Sequence, residues 1–175
     1  VFANLKQEYQ DITITCTAPS KTFNIAGLQV SNIFIANERL RKQFKQELKK
    51  TAHTDINIMG LIACQAAYTY GDDWLEQVKL YIRENLEFVK NFLQTYLPQV
   101  KLIEPEGTYL IWLDFRELNL TEEELEDLII NKAKLWLDGG TMFGLEGLGF
   151  QRINIACPRK ILEQALEQLV QAINK

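Results

Sequence analysis

Cysteine, histidine and proline are scarce in this 175-residue chain, at three, one and four residues. Cys16, Cys64 and Cys157 are odd in number and form no CxxC pair. That disfavours a disulfide framework or a zinc site and fits a reducing cytoplasm. The single histidine, His53, sits in Thr-Ala-His-Thr-Asp and suits a loop or cap rather than catalysis; no metal site is expected. No run of about 18 apolar residues occurs, so no membrane-spanning helix is expected. Lys and Arg total 19 against 23 Asp and Glu, a net charge of −4. No basic cluster is dense enough for a nucleic-acid footprint. The stretch from Arg39 to Lys50 spaces its charges as the wet face of a helix does. The opening Val1-Phe2-Ala3-Asn4 has neither an initiator Met nor a leader pattern and reads as a chain entered in mid-course.

What is present is ordinary globular material: 47% apolar and 24% charged residues, enough for one domain or a tightly joined pair. Residues 12–17 and 28–35 are β-branched and predict strands. Residues 37–50 predict a polar helix, and 56–70, apolar and Ala-rich, a buried one. Asp72 or Asp73 can cap a long helix in which Trp74, Val78, Tyr81, Ile82, Val89, Leu93 and Tyr96 recur near the helical period. Strands are expected at 100–103, 108–115 and 150–156. Thr121 and Glu124 form a capping box. Pro158 opens a last helix with Ile161, Leu162, Ala165, Leu166, Leu169, Val170 and Ile173 on one face.

Two basic residues have settings that suggest chemistry. Lys21 lies in a small polar turn between two predicted strands, with hydroxyls on both sides. A partly desolvated lysine there can act as an amine nucleophile toward a carbonyl, while a solvated surface lysine is the alternative. Arg152 follows the glycine-rich stretch 139–149, where a surface ion pair is the alternative to ligand binding. That stretch lacks the strand-to-helix context of a phosphate loop and is expected to shape the entrance over Arg152. Ser20 can donate to a ligand or simply satisfy its turn. Tyr109 and Trp112 read as packing residues, and Cys64 and Cys157 as small core residues.

Three segments carry a family resemblance. Ser20-Lys21-Thr22-Phe23-Asn24-Ile25-Ala26-Gly27-Leu28-Gln29 resembles the cofactor-lysine segment of fold-type I pyridoxal-phosphate enzymes. Pro105-Glu106-Gly107-Thr108-Tyr109-Leu110-Ile111-Trp112-Leu113-Asp114-Phe115 resembles a small-domain strand of the cystathionine β-lyase-like C–S lyases, a subgroup of the class I/II aminotransferases. Gly149-Phe150-Gln151-Arg152-Ile153-Asn154-Ile155-Ala156-Cys157-Pro158-Arg159 resembles their substrate-carboxylate strand.

The resemblance implies an α/β plus α+β architecture, the C-terminal part of a fold-type I enzyme. Residues 1–73 would close a large cofactor-binding domain, 74–97 would form the interdomain helix, and 98–175 the small domain. It implies that Lys21 holds pyridoxal 5′-phosphate and takes the substrate Cα proton, that Ser20 can donate to the cofactor phosphate, and that Arg152 binds the substrate carboxylate. It also implies an amino-acid substrate and a homodimer, while the composition leads to the expectation of a cytoplasmic location with no nucleic-acid or membrane partner. The acidic residue that partners the pyridinium nitrogen, the ring-stacking aromatic and the main phosphate loop lie upstream in the family, so this stretch alone is expected to be inactive. A C–S β-lyase, an aminotransferase and a non-catalytic dimerisation unit all stay open.

Overall fold

The computed structural model describes residues 1–52 and 55–174; His53 lies outside the described residues. The chain divides into two compact units, Val1–Gln77 and Val78–Lys175.

In the first unit, helix α1 (Gln7–Gln10) precedes strand β1 (Thr15–Thr17), which pairs antiparallel with β2 (Asn32–Phe34), Cys16 opposite Ile33. Both strands are shorter than the β-branched runs predict. Among the described residues Ile12, Thr13 and Ile14 have no strand partner, and of the predicted 28–35 only Asn32–Phe34 pair, Leu28 ending the 3₁₀ turn Ala26–Leu28. Helix α2 (Glu38–Lys50) starts where the Asn37 side chain accepts from the Leu40 N–H at 3.1 Å. Its charges face solvent, and Glu38 pairs with Lys42 at 2.8 Å.

Helix α3 (Ile58–Tyr70) corrects an expectation. The helix forms, but only Gly60 and Cys64 are buried, while Ile58, Met59, Leu61, Ile62, Tyr68 and Tyr70 are exposed. An all-apolar helix predicts burial on every side, and the unit's own chain covers only the side facing Leu28 and Val30. Among the described residues the buried apolar side chains of this unit are few: Pro19, Val30, Ile35 and Cys64. Helix α4 (Asp72–Tyr96) runs through the division between the units, with Asp72 and Asp73 in its first turn, where carboxylates favour the helix dipole.

The second unit has a full core. Strands β3 (Lys101–Ile103), β4 (Leu110–Asp114), β5 (Asp138–Gly139) and β6 (Phe150–Asn154) form an antiparallel sheet in the order β3-β4-β6-β5. Alternation along β4 and β6 sends Ile111, Leu113 and Ile153 to one face. They share a cluster with Val89 and Leu93 of α4, Leu125 of α5 (Glu122–Asp127) and Leu162, Leu166 and Leu169 of α6 (Arg159–Ile173). Full burial of each such side chain is worth about 1.5–3 kcal/mol. The capping box forms as read: Glu124 N–H donates to Thr121 Oγ1, and Thr121 N–H to Glu124 Oε2 at 2.8 Å. Helix α5 then continues into a π-helical turn, Leu128–Lys132. Ile161, expected on the buried face of α6, is exposed, because it lies in the first turn just ahead of the Leu162-Leu166-Leu169 stripe.

Candidate functional site

Lys21 and Ser20 belong to the first unit and Arg152 to the second, and each is described within its own unit. The Lys21 turn is held at both ends. Pro19 is buried and its carbonyl accepts from Phe23 N–H at 2.9 Å; the Ser20 carbonyl accepts from Ile25 N–H at 3.0 Å. The Phe23 ring meets Tyr68 edge-on at 5.8 Å and stacks on Trp74 at 6.1 Å, anchoring the turn to α3 and α4. Asn24 follows at φ 54°, a left-handed conformation that asparagine tolerates better than most residues.

Between these anchors Lys21 is exposed, which corrects the expected desolvation: β1 and β2 are themselves half open and provide no apolar cover. Among the described residues the Lys21 amine has no ion-pair or hydrogen-bond partner, and neither has the Ser20 hydroxyl. A fixed turn presenting an unpaired primary amine beside an unpaired hydroxyl fits the attachment of an aldehyde cofactor that carries a phosphate.

Arg152 is built by strand register. In β6 it stands opposite Trp112 of β4 on one side and Asp138 of β5 on the other, so one rung across three strands carries all three residues. Because Gln151 and Ile153 point to the core, this rung projects from the opposite sheet face. Arg152 Nε and Nη2 both donate to Asp138 Oδ2, at 3.1 and 2.6 Å. The guanidinium lies over the Phe143 ring, with Cζ 4.6 Å from its centroid, and Trp112 meets that ring edge-on at 5.2 Å. The ion pair of the alternative reading for Arg152 therefore exists, but it engages only one side of the guanidinium.

Phe143 comes from the glycine-rich loop, in the 3₁₀ turn Gly140–Phe143. That turn packs on a second, Leu145–Gly147, so closely that a Cβ on Gly140 would run into the Gly147 carbonyl. Glu122 of α5 ties down both ends of the loop, accepting from Thr141 Oγ1 at 3.0 Å and from Gly149 N–H at 3.4 Å. On the next rung Asp114 is paired with Arg116 at 2.8 Å, and Arg116 lies over Phe150. The hydrogen bonds from Arg116 hold the Asp114 carboxyl below its ordinary range. Burial pushes the Cys157 thiol up, as for a packed cysteine.

Sequence reasoning singled out Arg152 but not its neighbours Asp138 and Phe143. No spacing rule connects positions 138, 143 and 152; the strand register does. Among the described residues no group of His, Cys, Asp and Glu is placed to hold a metal ion.

Comparison with known proteins now bears on this geometry. No family model matches the chain. Cystathionine beta-lyase PatB of Bacillus subtilis is 40% identical over 173 residues, covering 99% of this chain and 45% of that protein. Cystathionine beta-lyase of Corynebacterium glutamicum is 32% identical over 99% of this chain and 46% of its own length. The crystal structure of cystalysin from Treponema denticola, which contains a pyridoxal 5′-phosphate cofactor, superposes with a TM-score of 0.94 at 39% identity, covering 99% of this chain and 44% of that one. The chain is homologous to the C-terminal portion of the cystathionine β-lyases. It spans a little under half the length of the lyase relatives it matches, and its fold is the corresponding part of the pyridoxal-phosphate-dependent aminotransferase fold.

Proposed function

We propose that this chain is part of a pyridoxal-phosphate-dependent C–S β-lyase acting on sulfur-containing amino acids such as cystathionine or cysteine. The observation that carries the reading is the unpaired Lys21 amine on its anchored turn, in a chain 40% identical to a cystathionine β-lyase over nearly its whole length. Lys21 and Ser20 would hold the cofactor, by covalent attachment and by a hydrogen bond to its phosphate. Bound there, the cofactor supplies an electron sink for a carbanion at the substrate Cα. With the cofactor held there, the Lys21 amine would take the substrate Cα proton as a general base. The Nη1–Nη2 edge of Arg152, left open by Asp138, accepts the substrate carboxylate through two parallel hydrogen bonds. Departure of the thiolate from Cβ then yields pyruvate and ammonia after hydrolysis.

The proposal places residues 1–73 in a cofactor-binding domain and 98–175 in a small domain, joined by the helix 74–97. It also includes a cytoplasmic homodimer. The exposed apolar helix α3 supports further cover for the first unit beyond what its described residues supply. With Lys21 and Ser20 the only residues proposed to hold the cofactor, the 175-residue chain by itself is expected to be inactive.

The test is product analysis on the protein expressed from its full reading frame, supplied with pyridoxal phosphate and L-cystathionine. Pyruvate, ammonia and thiol in equal amounts, abolished by Lys21→Ala, support the lyase. A keto acid retaining the substrate's sulfur makes it an aminotransferase. No turnover by either route, in a stable dimer, identifies a binding module.

A further inference from the structure

The Arg152 rung carries one step more than the homology does. An arginine offers five N–H donors in a planar fork. In Arg152, the Nε–H and the Nη2–H nearest it converge on the single oxygen Asp138 Oδ2. Phe143 covers one face of the plane at 4.6 Å. The remaining Nη2–H and both Nη1–H protons have no partner among the described residues. They form the end-on edge of the fork, whose geometry matches a carboxylate taken through both oxygens. The Arg152 side chain is only 26% exposed and that of Asp138 41%, so the pair is partly shielded from water.

From this we infer that Asp138 and Phe143 are positioning residues: they fix the rotation of the Arg152 guanidinium so that its Nη1–Nη2 edge faces a substrate carboxylate. The inference rests on the reading of Arg152 as the carboxylate-binding group. Asp138 removes the rotational freedom about the terminal side-chain torsions that carboxylate binding would otherwise have to overcome. Phe143 blocks one face, so a ligand cannot approach from that side. The glycine pair Gly140 and Gly147 and the two contacts to Glu122 keep Phe143 in that place.

The experiment is ¹⁵N NMR of the arginine side-chain resonances in the full 175-residue chain. Sodium acetate is titrated against sodium chloride at constant ionic strength, with Arg152→Lys assigning the signal. The wild-type chain is expected to show a slowly exchanging Arg152 Nε–H signal that acetate, and not chloride, shifts saturably. Asp138→Ala should weaken acetate binding about tenfold and speed Nε–H exchange, with Asp138→Glu restoring most of both. Phe143→Leu should weaken acetate binding by a smaller factor while leaving the Nε–H signal protected by Asp138. The backbone amide spectrum of each variant reports that the sheet is intact. Unchanged acetate affinity in Asp138→Ala, or tighter binding, overturns the positioning role and leaves Arg152 as a carboxylate binder. An Arg152 signal in the wild-type chain that responds to acetate no more than to chloride overturns the carboxylate reading itself, and the positioning role with it.

Discussion

Arg159 Nε donates to Asn85 Oδ1 at 2.8 Å, and Asn85 is completely buried. The Asn85 amide also donates to the carbonyls of Ile155 and Cys157 at 2.8 and 3.0 Å, so one α4 side chain ties together three residues of the β6–α6 junction. Helix α6 begins at Pro158 without a side-chain cap; instead the Arg159 N–H donates to the Tyr81 hydroxyl at 2.7 Å. Arg159 also lies over Phe88 at 4.5 Å, completing the clamp.

Replacing Asn85 with Leu leaves the buried Ile155 carbonyl, and the part-buried Cys157 carbonyl and Arg159 guanidinium, without these partners. The second unit should lose about 2–4 kcal/mol. Urea unfolding followed by tryptophan fluorescence measures this, and a loss no larger than that of a surface substitution contradicts it.

Acid should destabilise the second unit before it affects charge-poor regions of the chain. Asp114, held down chiefly by its Arg116 hydrogen bond, and Glu124, held down by Thr121, both titrate below their ordinary values in the folded state. A depressed carboxyl stabilises the fold above its unfolded pKa and loses that contribution as pH falls through the folded one. The urea midpoint should therefore stay flat down to about pH 5 and drop below about pH 4. Asp114→Asn should start lower and fall less steeply. A midpoint independent of pH across that range contradicts the assignment.

The exposed face of α3 should behave as surface in the isolated chain. Ile58→Glu and Ile62→Glu are expected to change unfolding free energy by no more than about 0.5 kcal/mol while reducing binding of an apolar fluorescent dye and raising solubility. A cooperative loss of helix in either variant would show that these side chains are covered.

Features set by local chemistry were legible in the sequence. The Thr121–Glu124 box, the Asn37 side of α2, the run of α4 and the alternation in β4 and β6 depend on neighbours a few residues away. Strand ends were not legible: Ile12 to Ile14 have every β-propensity, but in the β1–β2 register their partners would be residues 35–37, which lead into α2 instead of continuing the strand. The exposure of α3 was misread for a related reason, since an apolar helix predicts cover without saying which chain supplies it. At the site, the segment around Lys21 and the strand around Arg152 were recognised by resemblance. Their surroundings were not, because Asp138 and Phe143 reach Arg152 through strand register and two glycine contacts.

The central claim, that Lys21 carries the cofactor, is tested most directly by borohydride reduction of the chain equilibrated with pyridoxal phosphate, followed by peptide mass analysis. At limiting cofactor, the label should concentrate on the peptide containing Lys21 and disappear from it in Lys21→Ala without moving to a single new site. Label spread evenly over the exposed lysines of α2, with Lys21 no more modified than Lys42 or Lys45, would contradict the account.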